Sequence, residues 1–307
     1  MTDPCLHHVA CPDAAGGHRM AYWQWGQPDS PHLVLCVHGL TRQGRDFDVL
    51  AQALCAQAGL APGRGIRIIC PDVAGRGESD WLKDPTGYQV PAYAADMLAL
   101  LTQLHGQAPI AVLDWVGTSM GGLVGLVVCG QPALPLPAPV RKLVLNDVGP
   151  ALQWQAIERI GSYLGQAGHF HTLQEAADAM WAISSSFGPH TPAQWLALSV
   201  PMVRPISPAI GSLLRLHYDP AIAEPFKLAT EAGTQQGQAA LWQLYDAIQA
   251  DTLVVRGAQS DLLSRQTARE MTQRGPCARL VEFDGVGHAP TLIAADQLAA
   301  VAGFLLA

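Results

Sequence analysis

Short apolar runs alternate with helix-like segments through the first half of the chain, and this alternation limits the fold more than any other feature. The runs read LVLCV at 33–37, IRIIC at 66–70, IAVLDWV at 110–116 and KLVLN at 142–146. Each is almost continuously apolar, as expected for a strand whose two faces are both covered by helices. The pattern predicts an α/β fold built on a mostly parallel sheet.

The same alternation returns near the end of the chain. Strand-like TLVVR at 252–256 precedes a helical pattern around 264–273, and a strand at 279–283 precedes a final helix from Pro290 onward. An aromatic-rich segment at 19–25 predicts an additional early edge strand. Residues 1–148 and 251–307 are therefore expected to form one core around one sheet.

The intervening segment, residues 149–250, has a different pattern. Helices are predicted between Gly, Pro and Ser residues, at 154–164, 173–183, 193–198, 210–216 and 238–248, and no strand is predicted among them. We interpret this segment as a helical cap inserted after the sixth strand of the sheet.

Ser119 stands in the sequence Gly117-Thr-Ser-Met-Gly121, between an apolar strand and a helical segment. The G-x-S-x-G pattern in a strand-turn-helix setting predicts an exposed nucleophile, because the glycines allow a tight turn and a close approach of strand and helix. The alternative interpretation is that the glycines at this helix start serve only close packing, without a catalytic role for the serine. The pattern gains weight only if a base and an acid occur elsewhere.

Both candidates occur. His288 follows the predicted strand at 279–283, and Asp261 follows the strand at 252–256, so the order Ser119, Asp261, His288 is nucleophile, acid, base. Asp147 also ends a strand and is the alternative acid. Loop order favours Asp261.

Four segments together resemble the α/β-hydrolase family. Besides the two segments already described, the loop His38-Gly39-Leu40 resembles the family's His-Gly loop, and residues 72–79 fit its D-x-x-G-x-G-x-S loop. The resemblance implies the α/β-hydrolase fold with a sheet of the eight-stranded type. It also implies an oxyanion hole formed by the backbone N–H groups of Met120 and Leu40, with the cap as a lid.

Substrate contacts are expected from Arg42 at the mouth of the site and from the cap tryptophans Trp154, Trp181 and Trp195. An arginine in a polar loop is more often solvated or paired with an acid, and helical aromatics usually bury in a core. These four residues are therefore weighed as binding candidates against a purely structural role.

Charge and composition narrow the class of partner. A net charge of −7 and the absence of a basic run argue against nucleic acid, and no apolar stretch approaches the length of about 20 residues that spans a bilayer. The first residues lack the pattern of a secretory signal, and the seven unpaired-looking cysteines indicate a reducing compartment. We expect a cytoplasmic enzyme without metal or cofactor, acting on a small molecule, for which a homodimer is allowed.

These features predict hydrolysis of a carboxylic ester of a small or medium-sized substrate through an acyl-enzyme. Two alternatives stay open. One is a carbon–carbon bond hydrolase of meta-cleavage products or a lactonase, and the other is a slow-turnover ligand receptor or signalling protein on the same scaffold.

Overall fold

A computed structural model describes residues 3–60, 65–166, 168–206 and 213–307. Its strands are β1 Cys5–Cys11, β2 His18–Gly26, β3 His32–Val37, β4 Arg67–Pro71, β5 Val112–Thr118, β6 Val140–Asn146, β7 His169–Phe170, β8 Val203–Pro205, β9 Leu214–Leu216, β10 Asp251–Gly257 and β11 Arg279–Phe283. Its helices are α1 Asp48–Ala58, α2 Val90–Gln107, α3 Met120–Cys129, α4 Trp154–Tyr163, α5 Leu173–Ser184, α6 Pro192–Ser199, α7 Glu224–Lys227, α8 Glu231–Asp246, α9 Arg265–Met271 and α10 Ala295–Leu306.

Eight of these strands form one sheet in the order β1-β2-β4-β3-β5-β6-β10-β11. The pairs β1–β2 and β2–β4 are antiparallel, and all the others are parallel. The predicted mostly parallel sheet is confirmed. Strand β1 was not predicted, because only Val9 and Cys11 of this exposed edge strand are buried and its residues show no clear strand pattern.

Alternate residues of the central strands pack on opposite faces of the sheet. In β3, Leu33 and Leu35 join the apolar cluster that includes α2 and α3, whereas Val34 joins the cluster that includes α1 and α10. Helices cover both faces, which explains why the central strands are apolar at most positions on both sides. The last helix begins at Ala295, later than the predicted start at Pro290.

The cap segment, residues 149–250, follows β6 and precedes β10. It contains the predicted helices α4, α5, α6 and α8, the short helix α7 that was not predicted, and a three-stranded sheet in the order β7-β9-β8. The prediction that no strand occurs here was wrong, because strands of two or three residues are too short to produce a recognisable period. Of the helix predicted at 210–216, residues 210–212 lie outside the described residues and Leu214–Leu216 is strand β9.

Backbone hydrogen bonds tie the cap to the loop after β4. The N–H of Gly77 donates to the carbonyl of His217 at 2.9 Å, and the N–H of Asp219 donates to the carbonyl of Gly75 at 2.7 Å. The Tyr88 hydroxyl donates to the Asp219 carboxylate at 2.5 Å. The cap therefore rests on the carboxyl ends of the parallel strands, where sheets of this kind place their ligands. Within the described residues, no helix combines the length and apolar character needed to cross a bilayer.

Candidate active site

Ser119 occupies a sharp turn between β5 and α3. Its backbone lies in the left-handed half of conformational space, with φ 52° and ψ −115°, which is costly for a residue with a side chain. A Cβ atom at Gly121 would overlap the carbonyl oxygen of Val37, and one at Gly117 would overlap the carbonyl oxygen of Gly121. The flanking glycines therefore allow the close strand-helix approach that holds the serine in this turn.

His288 lies against Ser119, in the loop after β11. Its Nε2 is 2.9 Å from the Ser119 Oγ, and its Nδ1 is 2.7 Å from Oδ2 of Asp147. The imidazole is 8% exposed. If Nδ1 carries the proton that bonds the carboxylate, Nε2 presents a lone pair to the serine hydroxyl, as a general base requires.

Asp147 directly follows β6 and is fully buried. Its Oδ1 accepts the N–H of Gly257 at 2.9 Å, and its Oδ2 accepts the hydroxyl of Ser260 at 2.6 Å as well as the His288 proton. Like Ser119, it has a positive φ, 55°. A buried carboxylate requires such donors, because an unpaired buried charge is very costly.

Asp261, which loop order favoured as the acid, does not contact His288. Its carboxylate pairs with Arg159 of helix α4, at 2.7 Å from Nε and 3.0 Å from the second guanidinium nitrogen. This placement of Asp261 was wrong, because the loop after β10 turns Ser260 toward the site and Asp261 toward the cap. The alternative that the sequence left open, Asp147, stands in its place.

The His38-Gly39-Leu40 loop follows β3, and the His38 side chain connects it to the loop after β4. The imidazole is fully buried, with Nδ1 2.7 Å from the Gly39 carbonyl and Nε2 accepting the N–H of Val73 at 2.9 Å. Burial, together with the nearby cations Arg76 and Arg42, lowers the pKa of His38 to about 3. His38 is thus a neutral link between two loops.

Arg76 holds the same loop from the other side. Its Nε donates to the carbonyl of Leu40 at 2.8 Å, and one terminal nitrogen lies 3.6 Å from the sulfur of Met120. The guanidinium also donates to the Tyr93 hydroxyl at 2.9 Å and is completely buried. Among the described residues it forms no ion pair, so neutral hydrogen-bond acceptors and the faces of the Tyr88 and Tyr93 rings stabilise the charge.

The loop after β4 is organised around Asp72, which is also fully buried. Its carboxylate accepts N–H groups of Gly44 at 2.7 Å and Glu78 at 2.9 Å, and the indole N–H of Trp23 at 3.2 Å. Burial raises the pKa of Asp72 to about 7, against the opposing effect of these donors. Asp72 therefore supports the loop without reaching the serine.

Two cavities meet at Ser119. One, of about 80 Å³, is lined on the His288 side by polar groups that include Arg42, Arg159 and Tyr163. The other, of about 540 Å³, is predominantly apolar. Both are lined by Leu40 as well as by Ser119, and residues of the cap segment contribute to each. An apolar chamber with a few convergent polar groups is typical of small-molecule sites.

Known proteins resemble this chain over nearly its full length. The model of a family described as the alpha/beta hydrolase family matches residues 34–302. The chain belongs to the alpha/beta hydrolase family. A 3-hydroxybutyrate-oligomer hydrolase of Cupriavidus necator is 48% identical over 296 residues, which are 96% of this chain and 96% of that protein.

Solved structures agree with this assignment. An alpha/beta hydrolase from Novosphingobium aromaticivorans is 35% identical, with a TM-score of 0.81, and the match covers 100% of this chain and 99% of that one. Among sequence relatives, the lipase LipV of Mycobacterium tuberculosis is 32% identical over 133 residues, 43% of each chain. The predicted fold is confirmed, and so is the prediction of a hydrolase acting on ester bonds.

Most of the predicted substrate-binding side chains make contacts within the protein. Arg42 lines the smaller cavity, but its guanidinium is bound by Asp46 at 2.7 and 2.6 Å and by the carbonyl of Leu198 at 3.1 Å. Trp181 and Trp195 pack on each other with ring centres 4.9 Å apart, and the Trp195 indole donates to a backbone carbonyl of the cap. In the part of the chain that the structure describes, neither cavity at Ser119 is lined by these two rings or by Trp154.

Other residues of this alpha/beta hydrolase form the apolar wall and were missed in the sequence. Leu152, Ile157 and Ile160 reach the larger cavity from the start of the cap, and Phe226 and Leu228 reach it from its second half. Ile157 and Ile160 are one helical turn apart in α4, on a helix of which only Ala156 is buried. The signal in the sequence was a pair of isoleucines spaced by one helical turn in an otherwise mostly polar helical segment, which indicates one apolar face.

Proposed function

We propose that the protein hydrolyses short oligoesters of a hydroxy acid, with oligomers of 3-hydroxybutyrate as the first candidates. The observation that carries the proposal is the hydrogen-bonded line from Ser119 through His288 to Asp147, opening where the two cavities meet. Support for the substrate class comes from the relative that is 48% identical and is described as a 3-hydroxybutyrate-oligomer hydrolase.

In the proposed mechanism, the Ser119 hydroxyl attacks the ester carbonyl carbon as His288 Nε2 takes its proton. The imidazolium then returns that proton to the leaving alkoxide, so the alcohol departs and an acyl-serine remains. Water repeats the sequence with His288 again as the base, releasing the acid and restoring the serine. Asp147 holds the imidazole and stabilises its charged form throughout.

The backbone N–H groups of Met120 and Leu40 would stabilise the oxyanion of each tetrahedral intermediate. Met120 is the first residue of α3, so its N–H has no acceptor within the helix and lies at the positive end of the helix dipole. The contacts of Arg76 with the Leu40 carbonyl and the Met120 sulfur would keep the two donors in register. Each donor of this kind contributes about a hundred- to thousand-fold in rate.

The two cavities suit the two sides of an ester. A chain of 3-hydroxybutyrate units presents methyl groups and ester oxygens but no charge except at its carboxylate end, so several units fit an apolar chamber. The larger cavity would hold this chain, and the smaller cavity, the more polar of the two, would hold the unit on the other side of the cleaved bond. Residues 149–250 would act as a lid, since cap residues line both chambers.

Purified protein incubated with the dimer and trimer of 3-hydroxybutyrate tests the proposal. We expect release of monomer, measured by liquid chromatography, and its loss in Ser119→Ala, with Ser264→Ala as the matched serine control. Lactones and vinylogous diketones are assayed in parallel. Faster turnover of either than of the oligomers would overturn the substrate class, and near-stoichiometric turnover of all substrates would indicate the receptor alternative.

The proposal also covers the size of the substrate, the location of the protein and its assembly. We infer a small-molecule substrate handled in the cytoplasm, by a protein for which a homodimer is allowed. Sedimentation of the purified chain tests the assembly directly.

A further inference from the structure

Three potential metal ligands meet at the turn end of the β1–β2 hairpin, next to the loop that joins its strands. Cys11, the last residue of β1, pairs across the hairpin with His18, the first residue of β2, and Asp96 of helix α2 packs against both. One ligand atom from each of the three lies within 4.8 Å of the others. Cys11 and Asp96 are buried, at 2% and 3% exposure.

The orientation of His18 is fixed by two carboxylates. Its Nδ1 is 3.0 Å from Oδ2 of Asp13, and its Nε2 is 3.2 Å from Oδ2 of Asp96. A proton on Nδ1 that bonds Asp13 leaves Nε2 as a lone pair facing a second acceptor, the Asp96 carboxylate. Two acceptors attract each other only through a cation between them, either a proton or a metal ion.

We propose that Cys11, His18 and Asp96 bind one zinc ion, with Asp13 orienting the imidazole from behind. Thiolate, imidazole and carboxylate are the ligands that Zn²⁺ takes in proteins, and a carboxylate on the second ring nitrogen is the usual support of a metal-bound histidine. Bonds of about 2.0–2.2 Å in a tetrahedron place ligand atoms about 3.3 Å apart, close to the His18–Asp96 distance.

Charge and access both suit a divalent cation. Zinc displaces the thiol proton of Cys11, and the thiolate together with the Asp96 carboxylate then neutralises the ion within the buried cluster. A cavity of about 390 Å³ lined by His18, Asp96, Asp13 and Asp84 adjoins the cluster, which gives an acidic entry path and room for a water as the fourth ligand.

The site is separate from the ester hydrolase site. In the described residues, neither cavity that reaches Ser119 is lined by Cys11, His18 or Asp96. The ion would instead join the β1–β2 hairpin to α2, which otherwise contacts the hairpin through apolar packing and through hydrogen bonds from Gln103 to His8 and Tyr22. We therefore expect zinc to stabilise the fold and to leave the turnover number within about twofold.

The full chain is dialysed against micromolar zinc and its bound metal is counted by mass spectrometry. We expect one zinc per chain, a higher unfolding temperature, and a thiolate-to-metal charge-transfer absorption when cobalt replaces zinc. Cys11→Ser and His18→Gln should bind at least about a hundredfold more weakly, and Asp13→Asn about tenfold more weakly. Cys277→Ser, which removes an exposed free thiol, is the matched control and should bind like wild type.

Two results would overturn the zinc site. One is the absence of stoichiometric zinc from the wild-type protein, which leaves His18 as a protonated bridge between Asp13 and Asp96. The other is binding that Cys11→Ser leaves unchanged, which assigns the metal elsewhere. Cys11→Ser changes a single atom, and retained ester hydrolysis shows that the variant is folded.

Discussion

The floor and the roof of the active site hold their ionisable groups in opposite ways. The floor, formed by loops at the ends of β3, β4 and β6, keeps His38, Arg76 and Asp147 fully buried and bonds each to backbone groups. The roof, formed by the cap and the loops it touches, pairs Arg159 with Asp261, whose side chains are 38% and 46% exposed.

This difference separates chemistry from closure. A buried polar or charged group held by backbone hydrogen bonds has one position and a high cost of displacement, which is what a reacting centre requires. An exposed ion pair between a core loop and a cap helix contributes little stability and can open, as a movable roof requires. Removal of a floor group should therefore reduce the rate strongly, and removal of a roof group should change it little.

The largest expected effect is that of Asp147→Asn. The amide cannot stabilise the imidazolium and favours the wrong imidazole tautomer, so kcat should fall by about 10⁴-fold. Steady-state kinetics on an activated short ester measures it. Equal losses in Asp147→Asn and Asp261→Asn would erase the distinction between floor and roof.

A smaller loss is expected for Ser260→Ala, which removes one donor from the Asp147 carboxylate. A hydrogen bond to a charged group contributes about 1.5–3 kcal/mol, so the rate should fall roughly ten- to hundredfold. Ser260→Thr should restore the rate, and Ser264→Ala, at the start of α9, should leave it unchanged.

His38 sets a pH dependence of stability. Its pKa is about 3 when folded and 6.5 when unfolded, so between these values the unfolded state binds the extra proton and stability falls with falling pH. This protonation lowers the free energy of unfolding by about 1.4 kcal/mol between pH 7.5 and pH 5.5. Urea unfolding should give a shallower pH slope for His38→Gln than for wild type, whereas His8→Gln, at an exposed site, should keep the wild-type slope.

The smallest effect is expected at the roof. The Arg159–Asp261 pair should couple by less than about 1 kcal/mol in a double-mutant cycle, and the coupling should weaken in high salt. Asp261→Asn should leave kcat within about threefold. A coupling of several kcal/mol would mean that the roof is as rigid as the floor.

The sequence predicted the floor better than the roof for a physical reason. Ser119 and His288 were found because glycine turns and strand ends leave local patterns, whereas the choice between Asp147 and Asp261 depends on which loop residue turns inward. The two aspartates have similar local patterns, because each lies in a loop after a predicted strand. Ser260, the residue that hydrogen-bonds to Asp147, cannot be told from other loop serines in the sequence. The strands β7 to β9 were missed because strands of two or three residues are too short to show an alternating apolar pattern.

The most direct test is the rate at which a fluorophosphonate modifies Ser119, followed by peptide mass spectrometry. The reaction needs the nucleophile and its base but no particular substrate, so it isolates the Ser119–His288–Asp147 line from specificity. We expect modification at Ser119 alone, at the wild-type rate in Asp261→Asn and far more slowly in His288→Ala and Asp147→Asn. Slow labelling of Asp261→Asn together with normal labelling of Asp147→Asn would contradict the account.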